Sequence, residues 1–362
     1  SRVVADMGDS TYAPYAISGQ SLVDFSVKIY DYRGKEFEKE LYPPFKFWLD
    51  GKEYSNLKNI PIEKVGSIPF YAQSGEVKSD INYLISRPKP DFLNVYNLPI
   101  IFHVVYLENE HGISFNHEAN EIYGLLTSAN ETFRNQPPNN KYISHNFAIP
   151  GIQFTLATTD TLGNKLEEPG IHRIKTDIDK FPYSESITSG FIFDHMWDPE
   201  KYVNVFILNI SGVGGFAYSP MYQQSPEDFV IPPISRNYMA AISGINTYVL
   251  VHELGHFLGL PHVYTQDENN PCKDGDGLPD TESYYRTLNK ANPDIYCGTN
   301  GFHSTNFMDA QGSHNSFTLD QAIKMRSVIE RSVYLPAVNS TARAKTVSFQ
   351  KGKLDLYVKP IE

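Results

Sequence analysis

The chain has 362 residues, 41% of them hydrophobic, enough to bury a core and to form two or three globular domains. Its formal net charge of -11, with no run of Lys and Arg, argues against nucleic acid as a partner and leaves proteins, peptides and small molecules. No segment approaches the roughly 18–20 consecutive apolar residues that span a bilayer, and Ser1-Arg2-Val3-Val4-Ala5-Asp6 lacks a secretory signature, although a signal or anchor already removed would leave no trace.

From Ser21 to about Ile85 apolar residues recur at every second position, as in Val23, Phe25, Val27 and Ile29. This is the period of a half-buried strand. Phe45-Lys46-Phe47-Trp48 and Ile81-Asn82-Tyr83-Leu84-Ile85 read alike, and Asp50-Gly51 and Ser74-Gly75 supply turns. Residues 1–85 are therefore expected to form a small all-β, sandwich-type (Ig-like) domain. Ser86-Arg87-Pro88-Lys89-Pro90-Asp91 carries two prolines and no large apolar residue, and opens a linker over residues 86–97.

The texture then changes to α+β over residues 98–340. Strands are expected at 98–106, 152–156 and 203–208, and helices at 118–133, 245–258 and 319–333. The tail, 341–362, offers a strand at 346–349 or 353–358. The two cysteines, Cys272 and Cys297, fall in a stretch rich in Gly, Pro, Asn and Asp. A disulfide there would stabilise by about 3 kcal/mol through loop closure, with two reduced thiols as the alternative. No Cys-x-x-Cys spacing supports a cysteine zinc site.

The helix at 245–258 carries VHELGHFLGLPH, residues 251–262, which holds three of the chain's eleven histidines. Residues four apart share a helix face, so His252 and His256 can aim two imidazoles at one point. Glu253, about 100° around the helix, is placed to act as general base on a metal-bound water. Gly259 tolerates the positive φ that ends a helix, and Pro261 discourages its resumption, so His262 can swing back as a third ligand. Three neutral imidazoles with one open position suit catalytic zinc, whereas structural zinc closes all four positions.

HExxHxxGxxH resembles the metzincin metallopeptidases, and its surroundings are similar to the pappalysin family, particularly its bacterial members. Leu98-Pro99-Ile100-Ile101-Phe102-His103-Val104-Val105-Tyr106 resembles that family's first core strand. Val203-Asn204-Val205-Phe206-Ile207-Leu208, followed by Gly214-Gly215-Phe216-Ala217-Tyr218, resembles its edge strand and the bend after it. Gly275-Asp276-Gly277-Leu278-Pro279-Asp280-Thr281 resembles an acidic loop, Asn306-Phe307-Met308-Asp309 a Met-turn, and Phe317-Thr318-Leu319-Asp320-Gln321 the start of the last helix.

The resemblance implies a zinc endopeptidase with a metzincin-like mixed sheet and an active-site helix. Met308 would lie beneath the histidines. Val203 to Leu208 would hold an extended protein or peptide substrate, with Gly214, Gly215, Phe216, Ala217 and Ser313 in the substrate site. Asp274, Asp276, Asp280 and Thr281 group the hard oxygen donors that calcium prefers, in a region where family members bind it. Two departures stand out: Ala310 replaces a Tyr expected two residues after the Met, and Ser313 replaces an acid that goes with preference for Arg. Ala310 keeps open a second function, an extracellular binding or adhesion protein built on a catalytically weak or inactive metal scaffold. A disulfide, calcium and the resemblance together imply a secreted, cell-surface or periplasmic protein, including one anchored through a removed, lipid-modified N-terminus.

Overall fold

The computed structural model describes residues 2–7, 13–92, 95–109, 111–133, 146–183, 186–220, 222–223, 229–230, 239–271, 275–282, 284–287, 295–296, 304–310, 316–332 and 334–336. The tail strands expected at 346–349 or 353–358 lie outside them. The chain divides into two compact units. One comprises Ser1–Asp91, Asn140–Ala148 and Val263–Asp320, and the other Phe92–Asn139, Ile149–His262 and Gln321–Glu362.

The first unit begins with β1 (Arg2–Met7), β2 (Tyr15–Ile17), β3 (Leu22–Val23), β4 (Phe25–Tyr30), β5 (Lys46–Leu49), β6 (Lys52–Tyr54), β7 (Ile60–Pro61), β8 (Gly66–Ser74), β9 (Val77–Lys78) and β10 (Asn82–Arg87). Six of these form a sheet in the order β2-β10-β8-β5-β6 with β9 on β8, while β1 pairs with β4 and β3 with β7. The two-residue alternation has its expected consequence. Val3, Ala5 and Met7 of β1, Phe25, Val27 and Ile29 of β4, and Phe47, Phe70 and Leu84 of the large sheet share one core. Phe25 meets Phe47 and Phe70 at ring separations of 5.0 Å each. Asp50 and Gly51 both take positive φ, 49° and 78°, which lets β5 turn tightly into β6. β10 runs through Arg87, two residues into the stretch read as linker, because Ser86 and Arg87 pair with Ala16 and Ile17 of β2.

The second unit holds β11 (Tyr96–Asn109), β12 (Gly112–Ser114), α1 (Ala119–Phe133), β13 (Ile152–Leu156), β14 (Ile171–Thr176), β15 (Phe181–Pro182), α2 (Ser186–His195), β16 (Val203–Ile207), β17 (Ile210–Ser211), β18 (Gly215–Ala217), β19 (Tyr222–Gln223), β20 (Phe229–Val230), β21 (Met239–Ile242) and α3 (Thr247–Phe257). Its seven-stranded mixed sheet runs β12-β11-β16-β21-β18, with β13 and β14 also paired to β11. One expectation is corrected here. Val203 to Leu208 is not an edge: β16 runs parallel between β11 and β21, and all five of its residues are buried. A strand covered on both faces and both edges reads as a near-continuous apolar run, and this stretch is apolar except for the buried Asn204. Among the described residues the edge at that end is β18, antiparallel to β21.

A polar network sits inside this sheet. His103 on β11 is fully buried, with Nε2 donating to Asn204 Oδ1 at 2.9 Å and Nδ1 3.0 Å from Nδ1 of His172. Burial, more than the neighbouring histidines, pushes its pKa down to about 3. Folded His103 therefore stays neutral where the unfolded residue takes a proton. Its stabilisation is complete above pH 6.5 and is lost as pH falls below that value, by about 1.4 kcal/mol per pH unit. Urea unfolding at pH 7.5 and 4.5 should show a shallower loss of stability in His103→Phe than in the parent. Equal slopes would contradict this assignment.

The remainder of the first unit contributes β22 (Tyr284–Tyr285) and β23 (Ile295–Tyr296), and the last helix, α4, spans Leu319–Arg331.

Candidate metal centre

The local sequence fixes both ends of α3. Asn246, extended at φ -143°, caps the start, its side-chain oxygen accepting from the backbone N–H groups of Tyr248 at 3.0 Å and Val249 at 3.2 Å. Asn246→Ala is expected to cost about 1 kcal/mol of stability, read from the urea midpoint. At the other end Gly259 takes φ +90°. Its N–H donates to His256 O at 2.9 Å and the N–H of Leu260 to Gly255 O at 3.0 Å, the paired bonds of a Schellman stop. An added Cβ at Gly259 would also come within 2.8 Å of Val328 Cγ2, so both conformation and space require glycine.

That turn brings the third histidine back. Nε2 of His252, His256 and His262 lie 3.0–3.1 Å from one another, and this is the one group of three potential metal ligands among the described residues. Three ring nitrogens about 2.0–2.1 Å from a tetrahedral ion would stand roughly 3.3 Å apart, so the cluster fits a metal with little adjustment. The tautomer fits as well. His256 Nδ1 donates to Leu260 O at 2.6 Å, which leaves its Nε2 lone pair facing the cluster. Burial, reinforced by the neighbouring imidazoles, holds the pKa values of His256 and His262 well below the usual histidine range, so both offer neutral nitrogen.

Glu253 is buried, its Oε2 has no hydrogen-bond partner among the described residues, and desolvation pushes its pKa well above the ordinary carboxylate value. An unpaired buried carboxyl oxygen is costly and marks a group held ready for something other than packing. Its side chain lies against the edge strand, where a Cβ on Gly215 would come within 2.7 Å of both Glu253 Cγ and Oε1. Beside it, a Cβ added at Gly214 would meet Val249 only at ordinary contact distance, while Phe216 and Ala217 are buried in β18.

Residues 186–330, which include this cluster, match the Peptidase_M43 family, described as pregnancy-associated plasma protein-A. The family match supports a pappalysin-type metallopeptidase over residues 186–330. The fold is similar to mirolysin in complex with compound 9, at a TM-score of 0.51 and 22% identity over 65% of this chain and 91% of that one. Mature mirolysin of Tannerella forsythia in complex with a cleaved peptide is similar at 0.53 and 21%, over 67% and 94% of the two chains. A promirolysin variant of the same organism gives 0.53 and 21%, over 68% and 84%. No curated protein sequence matches the chain.

The matched region also includes the residues expected to form a Met-turn. Met308 is fully buried, its N–H donates to Asn306 Oδ1 at 2.9 Å, and its carbonyl accepts from the N–H of Val263, the residue after His262, at 3.3 Å. Asp309, next along, is gripped on both oxygens by Arg286: Nε approaches Oδ1 at 2.7 Å and Nη2 donates to Oδ2 at 2.8 Å. Tyr284 donates its hydroxyl to the same Oδ2 at 2.6 Å. Nothing in the sequence pattern singled out this buried ion pair.

In the acidic loop, Asp276 Oδ1 accepts from the Leu278 N–H at 3.0 Å and from the Thr281 hydroxyl at 2.8 Å. Asp280 accepts from the Thr318 hydroxyl at 2.6 Å and from the N–H of Asp320 at 2.9 Å, while Arg87 pairs with Asp320 and stands 3.8 Å from Asp280. Cys272, Asp274, Cys297 and Ser313 lie outside the described residues, so the expected disulfide, one expected calcium ligand and one expected pocket residue have no geometry here. No helix among the described residues is long and apolar enough to cross a membrane.

Proposed function

We propose that this pappalysin-type domain is a zinc endopeptidase acting on extended segments of proteins, with His252, His256 and His262 holding the metal and Glu253 as general base. The observation that carries the reading is the convergence of three ring nitrogens within 3.1 Å, next in sequence to a buried carboxyl group with an unpartnered oxygen. Zinc, when bound, supplies a Lewis acid for the scissile carbonyl and makes water a nucleophile near neutral pH. Glu253 takes the attacking water's proton and delivers it to the leaving amine. A carboxylate raised in pKa by burial suits both halves of that transfer.

The substrate would add to the sheet as a further strand along β18, the edge among the described residues, rather than along β16. Met308 is read as the Met-turn residue, its carbonyl accepting from the N–H of Val263. Ala310 supplies no hydroxyl, so stabilisation of the transition-state oxygen falls to the metal and to a donor other than residue 310. Asp276 and Asp280 hold the acidic loop and the start of α4, and a calcium ion there would have to join oxygens already bonded to Thr281, Thr318 and backbone N–H groups. We read the strands before Arg87 as a sandwich-type binding or spacing module and the protein as working outside the cytoplasm.

Zinc titration of the metal-free protein tests the assignment. The parent is expected to bind one ion per chain, and His262→Ala to lose 10- to 100-fold or more in affinity. Equal affinities would remove His262 from the site.

A further inference from the structure

Gly215 does not have a glycine's usual reason to be there. Its φ is outside the left-handed region, so an L side chain could adopt its backbone conformation. What forbids one is space. An ideal Cβ would stand 2.7 Å from the carbonyl oxygen of Ala241 on β21, 2.7 Å from Glu253 Cγ and 2.7 Å from Glu253 Oε1, all closer than real Cβ atoms come. Two of those three atoms belong to the side chain of the proposed general base. Neither of its ordinary positioning devices is available: Oε2 has no hydrogen-bond partner among the described residues, and Glu253 stands in no ion pair there. Packing, including the close approach to β18, therefore sets where the carboxylate lies.

We propose that Gly215 is a positioning residue for Glu253: the missing side chain on the edge strand is the seat of the glutamate stem and Oε1. The inference rests on the reading of Glu253 as general base. It gives the edge strand a second role beside substrate pairing, since any displacement of β18 would move the carboxylate. A methyl group at position 215 would force Glu253 aside by a distance on the order of 1 Å, enough to cost about a hundredfold in rate when the moved group is catalytic.

The test is a cycle of four proteins: parent, Gly215→Ala, Glu253→Ala and the double variant, each loaded with zinc and measured for casein cleavage and thermal midpoint. Gly215→Ala is expected to lower kcat about a hundredfold at unchanged zinc content, and to add no further loss in the Glu253→Ala background. Its shift in thermal midpoint should shrink to about half in that background, because two of the three close contacts are gone. This second readout needs no activity. Falls in rate that multiply, or midpoint shifts that simply add, would overturn the role of Gly215 while leaving the peptidase reading intact. A parent that cleaves nothing would instead remove the reading on which the inference rests. Should Gly215→Ala fail to fold, recovery of folding in the double variant supports the proposal. Failure of both to fold would assign the space to Ala241 O and overturn it.

Discussion

Glu253→Gln should leave zinc content and thermal stability near parental values and lower kcat/KM for protein substrates on the order of 10²–10⁴-fold. The amide keeps the volume of the buried side chain but cannot take a proton. KM is expected to change far less than kcat, because the group acts on the water's proton and not on substrate binding. Stability should if anything rise, since a buried carboxyl with one oxygen unpartnered is replaced by a neutral group. A variant that retains activity within a few-fold of the parent would mean that the base is elsewhere.

Arg286→Met is expected to have the largest effect on stability. Arg286 is 1% exposed and Asp309 0%, and the guanidinium grips both carboxylate oxygens. Removing it takes the guanidinium's charge and contacts away from a buried carboxylate, at a cost of about 3–5 kcal/mol by urea unfolding. Changing Asp309 to Leu in the same protein should recover much of that loss, because two apolar side chains replace an ion pair without stranding a charge. Because Asp309 follows Met308, the single change should also loosen the turn, and zinc affinity should fall with stability.

The parts of the site that lie within one turn of helix were legible in the sequence. Spacing alone placed His252 and His256 on one face, and Gly259 predicted the stop that the φ of +90° and the Schellman bonds bear out. The alternation at Val23, Phe25, Val27 and Ile29 likewise gave a strand face that lies in the core. Asn246 is a polar residue one position before the helix, the sequence signature of a cap.

What the sequence did not give depends on contacts between distant segments. β16 and β18 each look like a short apolar strand. Only pairing with β21 shows that the first is interior and the second the edge. Gly215 was expected only as a substrate-site residue, because the atoms that exclude its Cβ come from residues 241 and 253. Arg286 and Asp309 are 23 residues apart, with no periodicity to link them. His103 sat in an apolar strand pattern, where its bond to Asn204, 101 residues away, leaves no trace.

The central claim, a metal-dependent peptidase built on the three histidines, is tested most directly by the rate of casein cleavage before chelation, after it, and after zinc is returned. The expected result is cleavage by the parent that chelator abolishes and stoichiometric zinc restores. Cleavage that persists in chelator, or a zinc-loaded parent that leaves casein intact, would contradict it.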